Sequence, residues 1–118
     1  MKLLGLKPFV PSGEDFPTSR QFFLDMGFTE NWSSDDVCEL QMGDVRFILQ
    51  NYENQELQDN MMLYITVDNL DAFWHHVKDS GVLERYQNAR AREPTLFPWG
   101  QTEVHLIDPA GVCWHFSE

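Results

Sequence analysis

The segment PWGQTEVHLIDPAGVCWHFSE, from Pro98 to Glu118, carries the strongest structural signal in this chain. Apolar residues alternate along it before and after the Asp-Pro-Ala-Gly segment at positions 108–111, whose residue types are typical of a tight turn. The pattern therefore predicts a β-hairpin with one apolar face. The opposite face of its last strand carries Cys113, His115 and Ser117, so we expect that face to be partly polar.

Length and cysteine content are typical of one cytoplasmic domain. A chain of 118 residues can bury roughly two-thirds of its unfolded surface around a single core. Cys38 and Cys113 are too few for a disulfide framework and lack CxxC spacing, so we interpret both as buried thiols in a reducing cytoplasm. No apolar run has the length of a membrane span or the flanks of a signal peptide, so we expect no membrane partner.

The net charge argues against a nucleic acid partner. Nineteen Asp and Glu against eight Lys and Arg give a formal net charge of −11. Binding to phosphates needs a basic footprint, which this composition does not supply. An acidic protein attracts cationic small molecules instead, although acidity of this kind also serves solubility alone.

The first half of the chain predicts a strand, a helix and three more strands. Residues 3–10 are predicted as a strand in which Pro8 removes one ladder donor, and this favours an edge strand or one exchanged with another chain. A helix follows, with Asp15 as its N-cap and Gly27 as its end. The three remaining strands are predicted near residues 28–32, 37–41 and 45–50.

The second half repeats this order after a polar, aperiodic segment at 51–60, which we interpret as a linker. Residues 61–67 are predicted as a strand, and a helix from Asp68 to Lys78 is predicted to begin with Asp68 as N-cap. Residues 83–100 are predicted as a long irregular segment with room for one strand, before the closing hairpin. The apolar stripe of this helix, which we expect in the core, consists of Leu70, Phe73, Trp74 and Val77.

The two halves correspond in their closing hairpins. Val45, Phe47 and Leu49 in the first half answer Val112, Trp114 and Phe116 in the second. Two copies of about fifty residues are too few for a solenoid, so we predict two pseudo-symmetric parts of one fold. The sequence thus predicts one α+β domain of two βαβββ modules, at about 1–52 and 61–118, with the linker at about 51–60.

Three features together resemble the glyoxalase, bleomycin-resistance and extradiol dioxygenase superfamily, also called the vicinal oxygen chelate fold. They are the duplicated βαβββ layout, TSRQFFLDMGF at 18–28, and PWGQTEVHLIDPAGVCWHF at 98–116. The resemblance covers nearly the whole chain, and Lys7-Pro8-Phe9-Val10 and PWG look most like the bleomycin-binding proteins. It implies curved mixed sheets around a cleft in a homodimer, with the first strand at the dimer seam.

The resemblance also implies where a metal would lie in the enzymes of the superfamily. Their ligands come from the first and last strands of each module, and the corresponding positions here are Gly5, Ile48, Met62 and His115. Only His115 can bind a metal, whereas zinc, iron or manganese sites need three or four donors. We therefore predict no metal site, no cofactor and no catalytic residue. His105 is assigned no partner.

The resemblance implies binding without chemistry, in which a flat, cationic antibiotic is held reversibly in the cleft of a dimer. Trp99 stands at the position of the PWG tryptophan that forms one wall of that cleft. A stacked aromatic contributes about 0.5–1.5 kcal/mol beyond the area that it buries. Val37 stands at the position of the aromatic residue that forms the opposite wall, and an aromatic residue, Trp32, lies five positions earlier. Asp35 and Asp36 could face a cationic ligand tail.

Three hypotheses follow for the function. The leading one is a metal-independent small-molecule-binding protein, whose homodimer would carry twice −11, or −22, and steer cations over roughly the 8 Å Debye length. The second is a glyoxalase-like metal-dependent lyase or isomerase, transferase or dioxygenase with an atypical site around His115 and Gln50. The third is an interaction module with a closed cleft. The predicted ligand-binding residues are Trp32, Arg46, Ile48, Gln50, Met62, Tyr64, Trp99 and His115.

Overall fold

The computed structural model describes all 118 residues and arranges them in two mixed β-sheets and four helices. Sheet one contains β1 (Phe9–Pro11), β2 (Thr29–Ser33), β3 (Val37–Met42) and β4 (Val45–Gln50). Sheet two contains β5 (Met62–Thr66), β6 (Arg90–Ala91), β7 (Thr95–Leu96), β8 (Thr102–Ile107) and β9 (Cys113–Ser117). The helices are α1 (Phe16–Met26), α2 (Gln55–Asn60), α3 (Leu70–Ser80) and α4 (Val82–Arg85).

The two sheets share one topology. Sheet one has the strand order β1-β4-β3-β2, and sheet two has the order β5-β9-β8-β6, with β7 also paired to β8. In each sheet the first strand runs parallel to the last one, while the remaining pairs are antiparallel. The predicted α+β fold with curved mixed sheets is confirmed.

One apolar core joins the two sheets through the helices. It contains 19 buried residues drawn from both sheets, from α1, α3 and α4, and from the segments that connect them. Phe47 and Trp114, which occupy corresponding positions in the two sheets, meet there with ring centroids 4.9 Å apart, and Phe23 of α1 contacts both rings. Leu70 and Val77 of the predicted stripe are buried, whereas its two aromatic members are only partly buried.

The ends of the two long helices follow their capping residues. Asp15 caps α1 by accepting a hydrogen bond from the backbone N–H of Thr18 at 3.1 Å, and Gly27 ends the helix with a φ of 115°. The predicted N-cap Asp68 is wrong. Asn69 caps α3, because its side-chain oxygen accepts from the backbone N–H of Ala72, three residues later, at 2.9 Å.

The segment predicted as a linker at 51–60 contains α2, so that prediction is wrong. Asn54 caps this helix by accepting from the backbone N–H of Leu57. Its buried side chain is Gln58, which donates to the carbonyl of Ala110 at 2.8 Å and thereby attaches α2 to the β8–β9 turn. Because the buried face is polar, hydrophobic periodicity gives no signal for this helix.

The strand predicted at 3–10 is much shorter than expected, since only Phe9–Pro11 pairs with β4. This is an edge strand, as the position of Pro8 indicates. Residues 1–8, hereafter the arm, contain no helix or strand, and their leucines are exposed. The segment 83–100 contains the end of α4 and two short strands. None of the helices combines the length and apolar character needed to cross a bilayer.

Candidate functional site

Four of the predicted site residues lie on the open face of sheet one, the face turned away from the core. Along β4 the residues of this face alternate with the buried Phe47 and Leu49. Glu39 of β3 lies between Ile48 and Trp32 in the register, so all three share the face. The four predicted residues of this group are Trp32, Arg46, Ile48 and Gln50.

The other four lie on the second sheet or beside it. Tyr64 of β5 is the register neighbour of His115 on β9, and Met62 is the neighbour of Cys113. Trp99 lies in the loop between β7 and β8. The eight predicted residues thus divide equally between the open faces of two different sheets, and neither face holds them all.

Three nearly parallel rings form an aromatic stack on the open face of sheet two. The ring of Phe97 lies 4.8 Å from that of Trp99 and 4.2 Å from that of His105, at interplanar angles of 8° and 13°. The rings of Trp99 and His105 are 6.3 Å apart at 10°. Because Trp99 is 59% exposed, much of its indole remains free to contact a ligand.

A buried carboxylate lies directly behind this stack. Glu103 accepts hydrogen bonds from Nε2 of His105 at 2.7 Å and from the indole N–H of Trp99 at 3.2 Å. Nδ1 of His115 lies 3.5 Å from the same carboxylate oxygen that His105 contacts. The side chain of Glu103 is 3% exposed, and the rings of the two histidines lie 3.9 Å apart. We call Glu103, His105 and His115 the acid–histidine cluster.

Burial and hydrogen bonding set the ionisation of this cluster. Burial tends to raise the pKa of Glu103, but hydrogen bonds from His105 and Trp99 outweigh it and hold the pKa below its usual value. Burial, with a contribution from His105, lowers the pKa of His115. At neutral pH the cluster therefore contains an ionised carboxylate and an uncharged His115.

The strand register explains why these three side chains meet. His105 and His115 are directly opposite each other on the antiparallel strands β8 and β9. Glu103 lies two residues before His105, so it projects from the same face of the sheet. Val104 and Leu106 alternate with them and point into the core. Sequence reasoning missed Phe97, Glu103 and His105, although this alternation and the predicted hairpin together contain the signal.

Two members of the cluster, Glu103 and His105, border a cavity of about 390 Å³. Phe97, Glu103 and His105 contribute to its lining, as do Arg90 and Arg92. A larger depression of about 830 Å³ adjoins it and shares Arg90 and Ile107. Its lining is mainly polar and contains no aromatic residue, so we assign the candidate site to the smaller cavity, where Phe97 and His105 of the stack meet the carboxylate.

The ligand set that the superfamily resemblance implies does not fit this structure. Gly5 lies in the arm, outside any strand, and Ile48 and Met62 offer no donor atom. His115 alone remains of the four positions. Its actual neighbours, Glu103 and His105, come from β8, which supplies no ligand in that scheme.

The two cysteines take no part in the site. Both are free, and Cys38 is buried in the core, where burial raises the pKa of its thiol to about 11. Cys113 is only partly buried, so the expectation of two buried thiols is correct for Cys38 alone. Burial also raises the pKa of the Cys113 thiol. Both side chains are therefore protonated at neutral pH.

Comparison with known proteins places this geometry in a family of folds. Neither a protein-family model nor a curated protein matches the sequence. Among solved structures, the bleomycin-binding protein of Streptomyces verticillus in complex with copper(II)-bleomycin is 26% identical. Its TM-score is 0.81, and the alignment covers 99% of this chain and 97% of that protein.

Two further solved structures agree with this result. A bleomycin-binding protein complexed with bleomycin is 25% identical with a TM-score of 0.82, over 97% of both chains. A glyoxalase/bleomycin resistance protein from Catenulispora acidiphila is 20% identical with a TM-score of 0.73, over 98% of both chains. The resemblance seen in the sequence is confirmed: the chain has the fold of the glyoxalase/bleomycin resistance superfamily, which bleomycin-binding proteins share.

Proposed function

We propose that this protein binds a planar, cationic small molecule reversibly on the open face of sheet two, by stacking and charge and without a metal in the contact. The observation that supports this most directly is the stack of Trp99, Phe97 and His105 with the ionised Glu103 behind it. Similarity to bleomycin-binding proteins supports the same role.

The chemistry of the cavity defines the ligand further. A flat ring can lie on the exposed indole of Trp99, which contributes about 0.5–1.5 kcal/mol beyond burial. Its positive charge then faces Glu103, where low exposure strengthens the attraction. Arg90 and Arg92 line the cavity together with Glu103, so acceptor groups of the ligand are expected beside them. The net charge of −11 favours the approach of a cation.

Titration with bleomycin, followed by tryptophan fluorescence in the presence of EDTA, tests this proposal. We expect a saturable change in the wild-type protein and an affinity at least about tenfold weaker in Trp99→Ala, because both the stacking and the buried area are lost. Trp74→Phe is the matched control, since Trp74 lies on α3 beside Lys78. An unchanged affinity in Trp99→Ala, or no change in the wild type, would contradict the proposal.

A homodimer would complete the cleft, and we propose that the protein forms one. Phe9, Trp32, Met62 and Tyr64 are large apolar side chains exposed on the open faces, and exposed patches of this kind mark interaction surfaces. The leucines of the arm are exposed as well, so the arm could reach a second copy. Sedimentation equilibrium should give about twice the mass of one chain, and Tyr64→Glu should shift it towards the monomer. A monomeric wild type would exclude the dimer.

The second candidate function is a glyoxalase-like enzyme with an atypical site. One observation favours it: His115, predicted to stand alone, lies beside Glu103 and His105. An assay for lactoylglutathione lyase activity with added zinc or nickel tests this candidate, with His115→Ala as the inactive variant. Turnover that does not depend on His115 would exclude it. We place either function in the cytoplasm, which two free thiols support.

A further inference from the structure

The buried carboxylate of Glu103 lacks a permanent positive charge beside it. Its ion-pairing neighbours are His105 and His115, and its remaining donor is the neutral indole of Trp99. The arginines that line the cavity form no ion pair with it. Buried carboxylates in proteins are paired with a cation or coordinate a metal, so the position of Glu103 favours the binding of a cation.

The three side chains also present the donor atoms that a transition metal requires. One oxygen of Glu103 and one nitrogen from each of His105 and His115 all lie within 4.8 Å of one another. Ligand atoms about 2.0–2.1 Å from a tetrahedral zinc ion are about 3.4 Å apart, so the three donors need to approach one another by at most about 1.4 Å to share one ion. We propose that Glu103, His105 and His115 bind one divalent transition-metal ion, such as Zn²⁺, on the open face of sheet two.

Neighbouring residues hold these ligands in place. The indole N–H of Trp99 donates to Oε2 of Glu103 and leaves Oε1 directed at the histidines. The ring of Phe97 stacks on that of His105 and fixes its plane. The register of β8 and β9 sets the separation of the two histidines. Outer contacts of this kind orient metal ligands and raise their affinity.

The donor set defines the class of ion. Two imidazoles and one carboxylate bind zinc and first-row ions such as cobalt, nickel and iron, whereas magnesium and calcium prefer oxygen ligands alone. Three protein ligands leave a coordination position open, and water can occupy it. The site lies on β8 and β9, and it therefore differs from the four-strand ligand set that the superfamily resemblance implies.

Metal titration of the untagged, chelator-stripped protein tests this inference. We expect Co²⁺ to give visible absorption bands that are typical of a cobalt ion with a low coordination number and that saturate at one ion per chain. We also expect Zn²⁺ to displace the bound Co²⁺, as measured by calorimetry. Glu103→Gln and His105→Ala should each weaken binding at least on the order of 100-fold, because loss of a ligand exceeds loss of an outer contact. His75→Ala is the matched control, since His75 is exposed on α3.

Trp99→Phe keeps the test valid if a ligand variant fails to fold. It leaves all three ligands present and removes only the indole donor, so we expect binding about 10- to 100-fold weaker. Circular dichroism identifies any misfolded variant. Absence of Co²⁺ bands in the wild type, or wild-type affinity in Glu103→Gln, His105→Ala and Trp99→Phe, would overturn the inference.

This inference does not rest on the proposed ligand binding, and the two fail separately. The metal is titrated without any organic ligand, and bleomycin is titrated with EDTA present. A protein that binds bleomycin but no Co²⁺ loses only the metal site. One that binds Co²⁺ through the cluster but not bleomycin loses only the proposed function.

Discussion

Sheet one and sheet two have the same strand order but carry different chemistry on their open faces. In sheet one the row of register neighbours across β1, β4 and β3 is Phe9, Ile48 and Glu39. The corresponding row across β5, β9 and β8 is Tyr64, His115 and His105. The core-facing rows are apolar in both sheets. Duplication of this fold therefore constrains the core and leaves the open face free to diverge.

Each open face contains one buried carboxylate, and the two are neutralised differently. Glu39 of sheet one lies 2.7 Å from Nζ of Lys7 and accepts a hydrogen bond from Asn31. Glu103 of sheet two has two histidines and an indole as its neighbours. The permanently charged ammonium group of Lys7 pairs with the first carboxylate. The second carboxylate has no such partner and remains able to bind an added cation. This difference is the physical reason for assigning the binding site to sheet two.

The largest effect is expected where the two sheets meet, at Phe47 and Trp114. Removal of either ring leaves a cavity in the shared core, so Phe47→Ala and Trp114→Ala should each lower the free energy of unfolding by about 3–5 kcal/mol. Trp114 also donates to the buried carboxylate of Asp108 at 2.9 Å, so Trp114→Ala should cost about 1–3 kcal/mol more. Urea unfolding measures the free energy of unfolding of both variants. Equal losses would show that the hydrogen bond from Trp114 to Asp108 adds no stability to sheet two.

A smaller effect on stability is expected when the carboxylate of Glu103 is replaced in the absence of metal. Glu103→Gln replaces hydrogen bonds to a charged acceptor with neutral ones, which are about half as strong, so we expect a loss of about 1 kcal/mol. The lowered pKa of Glu103 also predicts a loss of stability, because it shows that the folded state favours the ionised carboxylate. Urea unfolding in EDTA measures the loss. An increase in stability would mean that burial of the charge outweighs its hydrogen bonds.

The sequence predicted most of the fold because the fold depends on alternation and caps. The closing hairpin, α1 and three strands of sheet one, β2, β3 and β4, lie within a residue or two of their predicted places. The helix α2 was missed because its buried residue, Gln58, is polar and is held by a single distant carbonyl. The strand at 3–10 was overestimated because an apolar run does not show whether its hydrogen-bond partner lies in the same chain.

The candidate site was predicted only in part, for a related reason. The positions of Trp99 and His115 in a motif mark them as candidates, whereas the sequence gives no partner for His105. Its contacts with His115 and Glu103 depend on the hairpin register and on strand faces, which bring residues ten apart in sequence together. The family's metal-ligand positions therefore contain one donor side chain, His115, whereas the structure brings three donor side chains together.

The aromatic stack has no counterpart on sheet one. Replacing Phe97 tests how much the stack contributes to ligand binding. Phe97→Leu retains most of the apolar volume but removes the ring that lies against Trp99 and His105. We expect bleomycin to bind about 2- to 12-fold more weakly, equivalent to about 0.5–1.5 kcal/mol. Fluorescence titration in EDTA measures this, with Phe73→Leu on α3 as the control. Unchanged affinity for Phe97→Leu would restrict the wall to Trp99 alone.

The smallest effect is expected at Lys7, where the arm neutralises the carboxylate of sheet one. The hydrogen bond from Lys7, with that from Asn31, lowers the pKa of Glu39 below its usual value of 4.5. The contact therefore stabilises the folded state above about pH 4.5, and its contribution is lost as the pH falls through the lowered pKa. In Lys7→Met the pKa of Glu39 should rise, as followed by NMR of the side-chain carboxyl. The pKa of Glu103 should stay constant, since no arm residue contacts it. A parallel shift of both pKa values would show that the two open faces are electrostatically coupled. The contrast between a carboxylate paired with Lys7 and one without a permanent cation would then no longer explain why the site lies on sheet two.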